Sequence, residues 1–123
     1  MAKLSKVIKN RPTPGQIFQL DQPRLRRSTH PHYCVVLQVD ATHALVNYMS
    51  SKFDLFHDER DIAIYPADPE FSASGLRFAT YLICEVHGLV KVPIENLYTL
   101  GGSVGVATGR FLERIEDWWG EKL

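Results

Sequence analysis

The sequence predicts a mainly β protein, a small antiparallel barrel with one C-terminal α-helix packed against it. Three observations carry that expectation. Short apolar runs of strand length recur between turn residues, with no helices alternating among them: "QIFQL", "YCVVLQV", "ALVNYM" and "DIAIY". Near Thr108 the pattern changes, and Phe111, Leu112, Ile115, Trp118 and Trp119 fall on one face of a helix. Finally, 123 residues with 45% hydrophobic and 23% charged content suit one globular domain with a real core.

Taken in order, residues 1–13 form a basic arm. Lys3, Lys6 and Lys9 recur beside Leu4, Val7 and Ile8, a pattern for a short amphipathic helix that cannot hold itself in water. Residues 14–123 form the barrel domain with its helix. "PTPG" punctuates the chain before the strand "QIFQLD", and residues 22–31 read as a polar loop. "HYCVVLQVDA" and "HALVNYMSS" follow as strands joined by a tight turn, "DATH", where Asp40 supplies the turn chemistry. "DIAIYPA" alternates as a strand, and Pro66 ends it or sets it at an edge. "FSASGL" reads as a loop, and "RFATYLICEVHGLVKVPIENL" as a hairpin turning at His87 and Gly88. "GGSVGVATG" reads as a flexible connection into the helix, which Thr108 or Ser103 caps. The total is five or six strands and one helix.

Charge and motifs narrow the function classes. The formal net charge is zero, yet residues 1–32 hold seven basic residues against Asp21 alone, and the remainder is correspondingly acidic. A basic end suits a phosphate-bearing partner, or the acidic end of a second copy. No apolar run approaches bilayer length, and the N-terminus lacks the apolar stretch of a secretory signal, so a cytoplasmic location is expected. Cys34 and Cys84 sit in apolar runs and read as small buried hydrophobes, without a disulfide. There is no Walker or dinucleotide glycine loop, no CxxC pair and no HExxH, and no cofactor is expected. His30 and His32 share a strand face, and His57, Asp58, Glu59, Asp61, Glu85 and His87 offer further ligand types. Nothing in their spacing requires a metal, and none is expected.

A better constellation joins Arg24, Arg26 and Arg27 of the loop, the histidines at the mouth of the second strand, and the serines of "MSSK". Adjacent antiparallel strands bring Ser50 or Ser51 towards His30 and His32. Imidazole transfers protons at neutral pH, a hydroxyl holds a phosphate oxygen, and arginine pairs with phosphate in bidentate fashion. Such an assembly suits binding or cleavage of a phosphodiester.

The order of elements resembles the PemK/MazF-like toxins of bacterial toxin–antitoxin pairs. "PGQIFQL" is similar to that family's opening strand, "CVVL" to its next hydrophobic strand, and "YMSS" to a strand ending in Thr or Ser. "GLRFATYLICEVHGLVKVPIENL" and "LGGSV" before a terminal helix resemble its later segments, so that most of residues 12–119 match by pattern and order. The resemblance implies an SH3-like barrel that forms a homodimer and is held inactive by a cognate antitoxin protein. It also implies a metal-independent endoribonuclease that cuts single-stranded RNA, using the RNA's own 2′-hydroxyl as nucleophile. Counting back from "VVL", the family's arginine falls on His32 and its following proline on Tyr33. Carried onto this chain, His32 becomes the general acid/base and Ser50 or Ser51 steadies the scissile phosphate. Arg24, Arg26, Arg27 and His30 bind RNA. The alternative is a non-catalytic SH3-like module that binds nucleic acid or a protein through the same loop.

Overall fold

The computed structural model describes residues 11–20, 32–51, 62–84, 88–99 and 101–122. Within these, β1 (Gln16–Leu20), β2 (His32–Val39), β3 (His43–Ser50), β4 (Ile62–Ile64), β5 (Thr80–Leu82), β6 (Leu89–Pro93) and β7 (Gly101–Val106) form one antiparallel sheet. The path runs β4-β5-β3-β2-β1-β7, with β6 also on β3, and the sheet curls into a half-barrel. Among the described residues three helices accompany it: α1 (Phe71–Ser74), α2 (Ile94–Thr99) and α3 (Gly109–Lys122). The mainly β fold with a C-terminal helix is therefore as the sequence predicts.

Both faces of the sheet are covered, which explains the unbroken apolar run Cys34–Leu37 at the centre of β2. Val35 and Leu37 face a core of Ile17, Met49, Ile64 and Leu82, against which α3 lays Phe111 and Ile115, each 2% exposed. Cys34 and Val36 face the other way, into Phe18, Leu20, Val46, Tyr48 and Val92, where α2 inserts Leu97. Tyr98 of α2 meets the edge of Phe18 at 5.4 Å between ring centroids. Glu113, Arg114, Glu116 and Asp117 stay exposed on α3, the division its spacing dictates.

Local chemistry sets the joints. Gly15, at φ 93°, donates its N–H to Val36 O (2.8 Å) and accepts from Ala107 N (2.8 Å), tying the start of β1 to β2 and to the approach to α3. The Asp40–His43 turn is closed by the Asp40 carboxylate, which accepts from Thr42 N (2.8 Å) and His43 N (2.7 Å). These two donors, with Lys91 Nζ at 3.8 Å, hold its pKa below the ordinary carboxylate value. After β4, Tyr65 N donates to Asp68 Oδ2 (2.7 Å) in a turn containing Pro66, and β4 is an end of the sheet path.

Five expectations are corrected. "FSASGL" contains helix α1, because Ser74 Oγ donates to Phe71 O and Gly75 closes the helix in the left-handed region at φ 73°. "GGSVGVATG" supplies β7, not a flexible connection. A Cβ on Gly105 would lie 2.4 Å from Ala73 O, and one on Gly75 would lie 2.0 Å from Val104 O, so these glycines let α1 and β7 touch backbone to backbone. Ser103 accordingly sits in β7, accepting from Gln16 Nε2 (3.0 Å), and does not cap α3; Thr108 precedes α3, and its carbonyl accepts from Leu112 N. The segment read as one hairpin is divided: β5 and β6 both pair with β3, and "IENL" belongs to α2, which begins directly after Pro93. The described strands number seven, where the sequence suggested five or six.

The division of β5 from β6 turns on Asn47. β6 runs along His43–Asn47 of β3, and β5 along Met49–Ser50. At the break, the Asn47 side chain, 0% exposed, donates from Nδ2 to Tyr48 O (2.9 Å) and to Ile83 O (3.0 Å), while Ile83 N donates to Tyr48 O (3.0 Å). Gly88 returns the chain against Ile83, whose carbonyl would lie 2.5 Å from a Cβ placed there.

Two outcomes follow from these contacts. Asn47→Ala is expected to lower stability by about 1–3 kcal/mol, because two carbonyls lose a buried donor. Asn47→Asp costs more, since a carboxylate would then face both oxygens; urea midpoints of the two variants check the order. The depressed Asp40 pKa stabilises the fold above the unfolded carboxylate value near pH 4, and that contribution disappears as pH falls through the folded value. The melting-temperature gap between wild type and Asp40→Asn should therefore narrow as pH is lowered from about 5 to about 2.

Candidate functional site

The candidate residues gather at one end of the sheet. Leu20 at the end of β1 pairs with His32 at the start of β2, and Ser50 at the end of β3 pairs with Tyr81 of β5. Between β2 and β3 the register decides which serine meets His32. Nearest the turn, Gln38 opposes Leu45 and Val39 opposes Ala44, a register that would set His32 opposite Ser51. A bulge between Val36 and Gln38 shifts the pairing by one, so that Val36 opposes Val46 and Tyr33 opposes Met49. Continued by one residue, the shifted register sets His32 opposite Ser50.

Directly opposed residues share a sheet face. His32, Cys34, Tyr48, Ser50 and Tyr81 therefore lie on the α2 side. His32 and Ser50 are half-buried, and Ser51, just past β3, is exposed. The imidazole stands edge-on to the Tyr48 ring, with centroids 6.0 Å apart and planes at 83°. Tyr48 is 3% exposed, and its hydroxyl has no hydrogen-bond partner among the described residues. Burial, and then the neighbouring Cys34, raise its pKa above the ordinary phenol value. The Cys34 thiol is itself pushed up to about 12 by burial, against a smaller lowering by a backbone hydrogen bond with Phe18. It is a core residue and not a nucleophile. Neither Cys34 nor Cys84 is in a disulfide.

The site thus joins an imidazole with a serine hydroxyl on adjacent strands, over a floor of apolar side chains and tyrosine rings. Tyr48 and Tyr81 were not singled out in the sequence. Tyr48 was within reach, since it lies two residues before Ser50 on the same strand and so shares its face. Tyr81 enters only through the pairing of β5 with β3, which no local pattern announces. Arg24, Arg26, Arg27 and His30 lie outside the described residues, as do His57, Asp58, Glu59, Asp61, Glu85 and His87. Among the described residues no cluster of His, Cys, Asp and Glu gathers to hold a metal ion. No helix among them is long and apolar enough to cross a membrane.

Two shallow depressions lie away from this rim. One, of about 190 Å³, is lined by Gln38, Asp40, His43, Leu45 and Lys91 at the turn joining β2 to β3. The other, of about 160 Å³, lies between the chain after β4 and α3, with Arg110 and Arg114 on its wall. Both fall below the volume of an ordinary small-molecule cleft, about 300–1,000 Å³. Neither a protein-family model nor a curated protein matches this chain.

Removing the Tyr48 hydroxyl should not harm the fold. Tyr48→Phe is expected to leave stability unchanged or raise it by up to about 1 kcal/mol, since the buried hydroxyl, which has no partner among the described residues, loses its hydration uncompensated. Thermal unfolding of the two proteins side by side checks this.

Proposed function

We propose that this protein is a metal-independent endoribonuclease of PemK/MazF-like type acting on single-stranded RNA. The observation that carries the reading is the opposition of His32 and Ser50 on neighbouring strands at the rim. In the proposed reaction His32 takes the proton from the ribose 2′-hydroxyl as that oxygen attacks the adjacent phosphorus. A 2′,3′-cyclic phosphate forms, and the bond to the 5′-oxygen of the next nucleotide breaks. A proton then passes to the departing oxygen. Ser50, with Ser51 beside it, donates a hydrogen bond to a non-bridging phosphate oxygen. Arg24, Arg26, Arg27 and His30 supply positive charge along the RNA, a role that suits the basic surplus of residues 1–32. In this reading the protein works in the cytoplasm as a homodimer and is silenced by a cognate antitoxin protein.

One observation favours a second reading. The His32 ring packs edge-on against a buried tyrosine, a use of histidine that needs no catalysis. On that reading the same rim belongs to a non-catalytic SH3-like module that binds nucleic acid or a protein.

The deciding assay incubates purified wild-type and His32→Ala protein with a long single-stranded RNA in EDTA. Discrete fragments from wild type are expected, with His32→Ala slower by roughly 10²–10⁴-fold, the usual contribution of a general acid/base. Ser50→Ala should lose more activity than Ser51→Ala, as the register requires. Intact RNA with folded wild-type protein would reject the enzyme in favour of the module.

A further inference from the structure

Just before β5 the chain exposes an aromatic ring beside a cation, at the end of the sheet that carries His32 and Ser50. Phe78 is 67% exposed, the most of any large hydrophobic side chain among those described, and Arg77 is exposed next to it. The backbone beneath them is pinned on both sides. Leu76 is 7% exposed, and its N–H donates to Ser74 Oγ (3.2 Å). Thr80, 4% exposed, donates from Oγ1 to Phe78 O (2.8 Å). The ring therefore projects from a held turn whose neighbours are buried, and its exposure is a property of the fold.

The position is also specific. Thr80 pairs with Ile64 on one side, and the β3–β5 register continued by one residue sets Ser51 opposite Thr80 on the other. Phe78 lies two positions before Thr80, a reach of at most about 7 Å. Strand spacing adds about 5 Å to Ser51. Ser51 follows Ser50 at this end of the sheet, so an RNA strand held at the rim can reach Phe78 with a neighbouring nucleotide.

We infer that Phe78 and Arg77 form a base-stacking platform for single-stranded RNA, the ring receiving one base while the guanidinium neutralises an adjacent phosphate. This rests on the RNA-binding reading of the rim given above. Every base has a π-face, so the platform adds affinity without demanding a particular base. An apolar ring facing water beside a cation fits a nucleobase and phosphate better than the apolar pocket of a protein partner, which the flanking arginine would have to enter desolvated.

The test is a fluorescence-anisotropy titration with a labelled 2′-O-methyl single-stranded oligonucleotide, which cannot be cut at its 2′-position. Phe78→Ala and Phe78→Leu should each weaken binding roughly tenfold, and Phe78→Trp should retain it, because stacking needs a ring. Arg77→Ala should reduce the magnitude of the slope of log affinity against log salt by roughly 0.7, one single-strand phosphate contact. Melting temperatures of the Phe78 variants should match wild type. If wild type binds and Phe78→Ala or Phe78→Leu binds equally well, the platform is wrong, the RNA reading of the rim stands, and Phe78 is left to a protein partner. If wild type does not bind the oligonucleotide at all, both the platform and the RNA reading fall.

Discussion

The structure depends on one side-chain amide. β3 has two partners along a single edge, and neither β5 nor β6 alone spans its length. Where one leaves off and the other begins, the carbonyls of Tyr48 and Ile83 lie at a break in the ladder. Asn47 fills it, giving both protons of its amide to Tyr48 O and Ile83 O while entirely buried. Its orientation is set by those two acceptors, since only nitrogen can face them. The amide oxygen is left without a partner among the described residues, a cost accepted for holding the junction. A hydrophobic residue would suit the burial but not the carbonyls.

From that junction the rim takes its shape. β5 is held against the last residues of β3, which brings Tyr81 alongside Ser50 and the turn of Arg77 and Phe78 to the same end of the sheet. On the opposite edge, the bulge in β2 selects Ser50 and not Ser51 as the neighbour of His32. Two irregularities, one on each side of β3, therefore bring separate parts of the chain together at one place. Regular pairing would give a flatter sheet with its polar end residues in a different order.

Much of this was legible in the sequence, and the reasons for the rest are physical. β1, β2, β3 and α3 could be read because their apolar periods are strong and a turn closed by Asp40 joins two of the strands. The glycines of β7 hid a strand, because glycine's low strand propensity is offset by backbone contact with α1, a tertiary effect. Likewise "VPIENL" continued an apparent strand, and only the stop after Pro93 separates β6 from α2. Of the site, His32 and the serine pair were visible as residues on adjacent strands. The choice between Ser50 and Ser51 was not, because it depends on a bulge of one residue. Phe78 carried no sequence signal, since nothing local distinguishes an exposed phenylalanine from a core one.

The pairing of β1 with β7 has a consequence for how the chain is made. Gln16 and Ser103, joined by a side-chain hydrogen bond, are 87 positions apart, so the outer edge of β1 has no partner until nearly ninety further residues have been synthesised. At ribosomal rates of about 5–20 residues per second, that interval is roughly 4–17 s. Throughout it the hairpin of β2 and β3 can form locally, while β1 presents an open hydrogen-bonding edge next to Ile17 and Phe18. The nascent chain is then most exposed to faulty pairing with its neighbours. Completion of the sheet is coupled to the arrival of one short, glycine-rich strand and the helix that follows it.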